Sequence, residues 1–118
     1  MELKKVNEDK RGEIWTLTDD RFGEMTILFT KAGFARGGCV HDQPEKLITL
    51  TGEIIYYEEN EPARCVPYYH PIVYIDQYKA HGFKSVMNSV VLEIKSVVTK
   101  TKYDPQMRKK VEDINAAK

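Results

Sequence analysis

The sequence predicts an all-β sandwich or barrel followed by a short C-terminal α-helix. Three observations carry that expectation. Short runs rich in Ile, Val, Tyr and Thr recur along most of the chain, as strand-forming segments do. Turn residues separate them: Asp19-Asp20, Gly23, Gly33, Gly37-Gly38, Gly52, the Asn60–Pro62 stretch and Gly82. Near the end the apolar spacing changes from alternation to helical spacing.

The elements follow in order. Residues 13–17 (EIWTL) are a first short run, with Trp15 as a core or dimer contact. Residues 24–31 (EMTILFTK) alternate and place Met25, Ile27 and Phe29 on one face. Residues 47–50 and 53–57 are split by Thr51-Gly52, which reads as a hairpin turn. Residues 71–76 (PIVYID) and 90–98 (VVLEIKSVV) complete the strand set. Asp104-Pro105 then places an N-cap residue before a proline at the first helical position. Met107, Val111 and Ile114 follow at helical spacing, so a helix is expected over 105–116, docked on the barrel or on a partner subunit. His70 reads as a loop residue, and the many tyrosines as barrel wall or interface.

Composition bounds the rest. The chain has 118 residues, with 18 basic and 18 acidic side chains and no net charge. That length fits a single domain over 1–118, with a barrel at about 11–103. The balanced charge argues against a nucleic-acid partner. No apolar run approaches the ~18 residues of a membrane span. The charged start MELKKVNEDKRGE lacks the apolar core of a secretory signal, so a cytoplasmic protein is expected. Cys39 and Cys65 have no zinc-type spacing and are expected as reduced thiols.

One segment carries most of the functional information. Residues 33–52 read GFARGGCVHDQPEKLITLTG. Cys39, His41 and Glu45 share parity, although Pro44 is expected to end one strand and leave Glu45 to begin the next. A sulfur, an imidazole and a carboxylate within seven residues are all transition-metal ligand types. Two exposed polar residues beside a buried thiol would give the same pattern.

The spacing adds a resemblance. Gly33, five residues, Cys39-Val40-His41, three residues, Glu45, six residues and Gly52 resembles the first motif of the cupin superfamily, with cysteine in place of the first histidine. Tyr78-Lys79-Ala80-His81-Gly82-Phe83 resembles part of the second cupin motif, without its usual preceding proline and glycine. The resemblance implies an antiparallel jelly-roll barrel, the double-stranded β-helix, with His81 brought beside His41 and Glu45. Arg36-Gly37-Gly38-Cys39-Val40-His41, Ala80-His81-Gly82-Phe83 and Lys102-Tyr103-Asp104-Pro105 are similar to stretches of sugar-nucleotide cupins, the dTDP-4-keto-6-deoxyglucose ketoisomerases and dTDP-4-dehydrorhamnose 3,5-epimerases.

That resemblance implies a metal-free isomerase or epimerase acting on a keto-sugar nucleotide. Arg36 would meet the diphosphate, and His41, with His81 and Cys39, would supply proton transfer. A thiol at Cys39 is a poorer proton shuttle than the histidine it replaces. The alternative is a metal cupin, with His41, Glu45 and His81 as a two-His, one-carboxylate set and Cys39 as a fourth ligand. It would hold Fe, Mn, Zn or Ni in an oxygenase or isomerase. A third reading is a non-catalytic cupin that binds a small ligand. A homodimer is expected in each case, because small barrels expose sheet edges and apolar faces.

Overall fold

The computed structural model describes residues 1–21, 23–95 and 101–118. Two antiparallel sheets face each other. The first runs in the order β1 (Glu2–Asp9), β2 (Gly12–Asp19), β3 (Gly23–Thr30), β10 (Ser89–Lys95), β5 (Glu45–Thr51), β8 (Ile72–Ile75). The second runs β11 (Thr101–Tyr103), β4 (Ala35–His41), β9 (His81–Ser85), β6 (Glu53–Glu58), β7 (Arg64–Pro67). A single helix, α1 (Pro105–Ala116), follows. This is the jelly-roll architecture that the resemblance implies, and the all-β barrel that the strand pattern predicts. Among the described residues no helix is long and apolar enough to cross a membrane.

The core lies between the sheets. Leu28, Leu47, Val73, Ile75 and Val91 of the first sheet meet Ile54, Tyr56, Val66 and Phe83 of the second. Cross-strand register grades the inner face of the first sheet. One row is Leu28, Val91 and Thr49; the next is Thr26, Glu93, Leu47 and Val73; the last is Glu24, Lys95, Glu45 and Ile75. The inner face of this sheet therefore passes from Leu28 and Val91 to a charged row at Glu24, Glu45 and Lys95.

Helix α1 covers the second sheet. The Asp104 carboxylate accepts from the Met107 amide at 2.9 Å, capping the helix as the sequence predicts. Met107 and Val111 are buried. The Asn115 side chain accepts from the Ala35 amide at 2.7 Å and donates to its carbonyl at 3.0 Å. Arg108 Nη1 donates to the Gly37 carbonyl at 2.9 Å.

Glycines permit this docking. Gly37 and Gly38 have φ of +107° and +85°, and the β4–β9 register slips between Gly37 and Cys39. Gly38 is thus the extra residue of a β-bulge. A Cβ on Gly38 would stand 2.6 Å from the Arg108 Cα, so only glycine lets α1 approach.

Several expectations change. The first sheet gains β1, ahead of the barrel start near residue 11. Its residues are exposed on nearly all sides, so it lacks the buried alternation that marks a strand. The short strand β7 is likewise an addition. Thr51-Gly52 is not a hairpin: β5 and β6 belong to different sheets, and Gly52 is the corner between them. Met25, Ile27 and Phe29 share a face, but it is the outer one, because the inner face carries Glu24, Thr26, Leu28 and Thr30. Trp15 sits across from Ile27 on that same outer face and is not core. Residues 96–98 of the expected last strand lie outside the described residues.

Candidate functional site

Beside the charged row of the first sheet three side chains converge. His41 ends β4, Glu45 begins β5 and His81 begins β9. Pro44 separates the first two strands, as the sequence implied, and the chain crosses between sheets there. All three residues are buried, and their potential ligand atoms lie within 4.8 Å of one another. His81 Nε2 is 2.7 Å from Glu45 Oε1, and His41 Nε2 is 3.4 Å from the same oxygen. The two imidazole rings are 5.4 Å apart.

The protons on His81 follow from its neighbours. Its Nδ1 is 2.9 Å from the Lys79 carbonyl, which can only accept, so Nδ1 carries a hydrogen. In a neutral ring Nε2 is then a bare lone pair facing a carboxylate. That arrangement requires a cation between them, either a proton on Nε2 or a metal ion. The Nδ1–carbonyl bond is also the arrangement that fixes the tautomer of a metal-binding histidine. Neither carboxylate oxygen of Glu45 has an ordinary hydrogen bond among the described residues, apart from the close His81 contact.

Electrostatics separate the two histidines. Burial pushes the His41 imidazole down to about 4, against the pull of Glu45, so it is neutral at neutral pH. Burial also works against the His81 imidazolium, but the Glu45 hydrogen bond and charge outweigh it and raise its pKa. Burial disfavours the Glu45 carboxylate, and the two histidines and Lys95 more than offset this, holding its pKa below the usual range.

Of the three, His41 lines a cavity of about 550 Å³ between the sheets. Its wall includes Arg36, Cys39 and His41 of β4, Glu24 and Thr26 of β3, Thr16 of β2, and Glu93 and Lys95 of β10. Arg11 and Arg108 stand at its margin. Parity alone would point Arg36 away from Cys39 and His41. The extra residue at Gly38 reverses the phase and turns Arg36 inward.

Arg36 is 3% exposed. Its Nε donates to Thr30 Oγ1 at 2.9 Å and its Nη2 to the Phe29 carbonyl at 3.2 Å, while Nη1 has no partner among the described residues. Burial and the nearby Arg11 lower its pKa to about 10, so it stays charged. This buried cation has no carboxylate in salt-bridge contact among the described residues.

Cys39 lines the cavity beside His41 and pairs across the strands with His81. Burial, reinforced by the charge of Glu93, pushes its thiol up to about 12. Without a metal it is a neutral thiol and cannot act as a base. Cys65 is exposed on β7, and neither cysteine is in a disulfide. His70 lies on an exposed turn, as expected.

Glu93 and Lys95 were not legible as site residues. They sit in an apolar run, and only their shared parity with Val91 marks them as inward. Lys95 Nζ is 3.3 Å from Glu24 and 3.9 Å from Glu93. Burial and the charge of Glu45 raise the pKa of Glu93.

No protein-family model matches the chain, and no curated protein does. Solved structures do. A cupin-like protein from Thermotoga maritima superposes with a TM-score of 0.67 at 17% identity, over 83% of this chain and 86% of that one. The fold is that of the cupins. A 3,4-ketoisomerase from Helicobacter canadensis shares this cupin fold over 98% of both chains, with a TM-score of 0.63 and 16% identity. The capsular polysaccharide assembling protein CapF from Staphylococcus aureus matches at a TM-score of 0.70 and 18% identity, over 87% of this chain. This chain spans about a third of CapF, 34% of its length.

Proposed function

We propose that this protein is a divalent-metal cupin that takes an anionic, hydroxyl-rich small molecule of the nucleotide-sugar class into its barrel. The observation behind the metal is the His81 ring, with one nitrogen committed to the Lys79 carbonyl and the other aimed at Glu45 Oε1 at 2.7 Å. A proton would satisfy that one contact. A metal ion would also engage His41 and relieve the under-satisfied Glu45 carboxylate, so the donor set fits an ion of the Fe, Mn, Zn or Ni type. Such an ion would supply Lewis-acid polarisation of a substrate carbonyl or hydroxyl.

The other residues supply binding. Arg36 offers a buried guanidinium with one unused nitrogen to a phosphate. Thr16 and Thr26 line the same cavity. Glu93, whose pKa is raised, stands in the wall as an acid–base group.

The test is elemental analysis and metal reloading of untagged protein. Near-stoichiometric metal, lost in His81→Ala and Glu45→Gln, supports the reading. Protein that holds only traces and cannot be reloaded overturns it.

A second reading has its own support. With a proton in place of the metal, His81 and Glu45 form an imidazolium–carboxylate pair, and neutral His41 serves as base in a metal-free keto-sugar isomerase or epimerase. The raised pKa of His81 favours it. Proton exchange on a keto-sugar nucleotide by metal-stripped protein would select this reading.

A further inference from the structure

We infer that Tyr78 is a positioning residue for both histidines of the site, acting through its backbone. Strands β8 and β9 belong to different sheets, and residues 76–80 carry the chain between them. This connection touches both histidines. The Tyr78 amide donates to the His41 carbonyl at 2.8 Å, at the end of β4. One residue on, the Lys79 carbonyl is 2.9 Å from Nδ1 of His81, at the start of β9.

Tyr78 makes its contact from a left-handed backbone. Its φ is +63°, and among the described residues Asn60 is the other non-glycine with positive φ. Asparagine visits this region readily, because its short polar side chain bonds locally. A bulky side chain enters it only against repulsion between its Cβ and the backbone. Burial does not hold Tyr78 there, since it is 63% exposed. The hydrogen bonds of the connection do. The Tyr78 amide is tied to His41, and the carbonyl of the buried Ala80 accepts from the Glu59 amide at 2.9 Å. A strained residue persists where its surroundings over-determine it, and such residues cluster at functional sites.

The φ rotation of Tyr78 lies between its own amide and the Lys79 carbonyl. That one angle therefore sets the two histidine contacts relative to each other. In an extended backbone, an amide kept on His41 would carry the Lys79 carbonyl off the His81 ring. His81 would lose the acceptor that commits its Nδ1 hydrogen, and with it the fixed presentation of Nε2 to Glu45. The inference rests on His41, Glu45 and His81 being the working site. It holds whether a proton or a metal ion lies between His81 and Glu45.

Tyr78→Val and Tyr78→Gly separate backbone from side chain. Valine disfavours the left-handed region, whereas glycine occupies it freely. In metal-stripped protein, nitrogen-edited NMR of the histidine rings reads the His81 Nδ1 hydrogen directly. The parent and Tyr78→Gly should keep it in slow exchange, and Tyr78→Val should lose that protection. In a Zn(II) titration Tyr78→Val should bind about 10–100-fold more weakly than either. A parent that takes up no zinc sinks the metal reading alone, and the ring signal still decides this one. An unchanged ring signal in Tyr78→Val overturns the inference, however much stability the variant loses. So does loss of the signal in Tyr78→Gly. Where Tyr78→Val does not fold, a parent Tyr78 amide that exchanges as fast as a free loop amide overturns it.

Discussion

Gly38 and Arg108 touch backbone to backbone: a Cβ on Gly38 would come within 2.6 Å of the Arg108 Cα. This contact joins the bulge that aims Arg36 into the cavity to the helix that closes the second sheet. Gly38→Ala combines a left-handed backbone penalty with a clash against α1, and should cost about 2 kcal/mol or more. Denaturant unfolding of the two proteins measures it. A variant as stable as the parent would mean that α1 is not held at this distance.

Arg36→Met should remove binding of a nucleoside diphosphate while sparing the fold. The guanidinium is buried with one nitrogen unsatisfied, and replacing such a charge with an apolar side chain is often neutral or stabilising. Thermal shift with dTDP checks this: stabilisation of the parent by millimolar nucleotide, lost in Arg36→Met. Equal shifts in both proteins would remove Arg36 from the binding site.

The two thiols should differ in reactivity. Cys65 is exposed, whereas burial pushes the Cys39 thiol up to about 12. The sign is that of a depleted thiolate, so Cys39 should resist iodoacetamide from neutral pH to well above pH 9 while Cys65 reacts. Peptide mapping after timed alkylation reads both sites. Rapid labelling of Cys39 in folded, metal-free protein would contradict its burial as a neutral thiol.

Asn115→Ala should loosen the end of α1. Its amide satisfies both the N–H and the carbonyl of Ala35, at 2.7 and 3.0 Å. Losing both bonds leaves two backbone groups unpaired, a cost of about 2 kcal/mol. Hydrogen exchange at Ala35 should accelerate, and unchanged protection would show that other groups hold this edge.

Particular residues show what the sequence could reveal. Strands β2, β3 and β10 were legible because β-branched and apolar residues recur at strand spacing. Strand β1 was not, since Lys4, Lys5, Glu8 and Asp9 face solvent and no buried stripe marks it. Gly52 signalled a turn, but not which strands it joins. Its φ of +83° suits a hairpin or a corner, and only the sheet pairing, which puts β5 and β6 in different sheets, shows the corner. The spacing from Gly33 to Gly52 located His41 and Glu45, and the Ala-His-Gly-Phe stretch located His81. The inward turn of Arg36 stayed hidden because two adjacent glycines shift the alternation by one residue. Glu93 and Lys95 stayed hidden because sheet pairing, rather than local pattern, places them beside Glu45 and Glu24.

The metal content of untagged protein tests the central claim most directly. The geometry of His41, Glu45 and His81 predicts near-stoichiometric divalent metal after purification or reloading, with binding lost in Glu45→Gln. Protein that stays metal-free through reloading, while Arg36 still confers nucleotide binding, would contradict the metal and leave the proton-bridged His81–Glu45 pair as the working site.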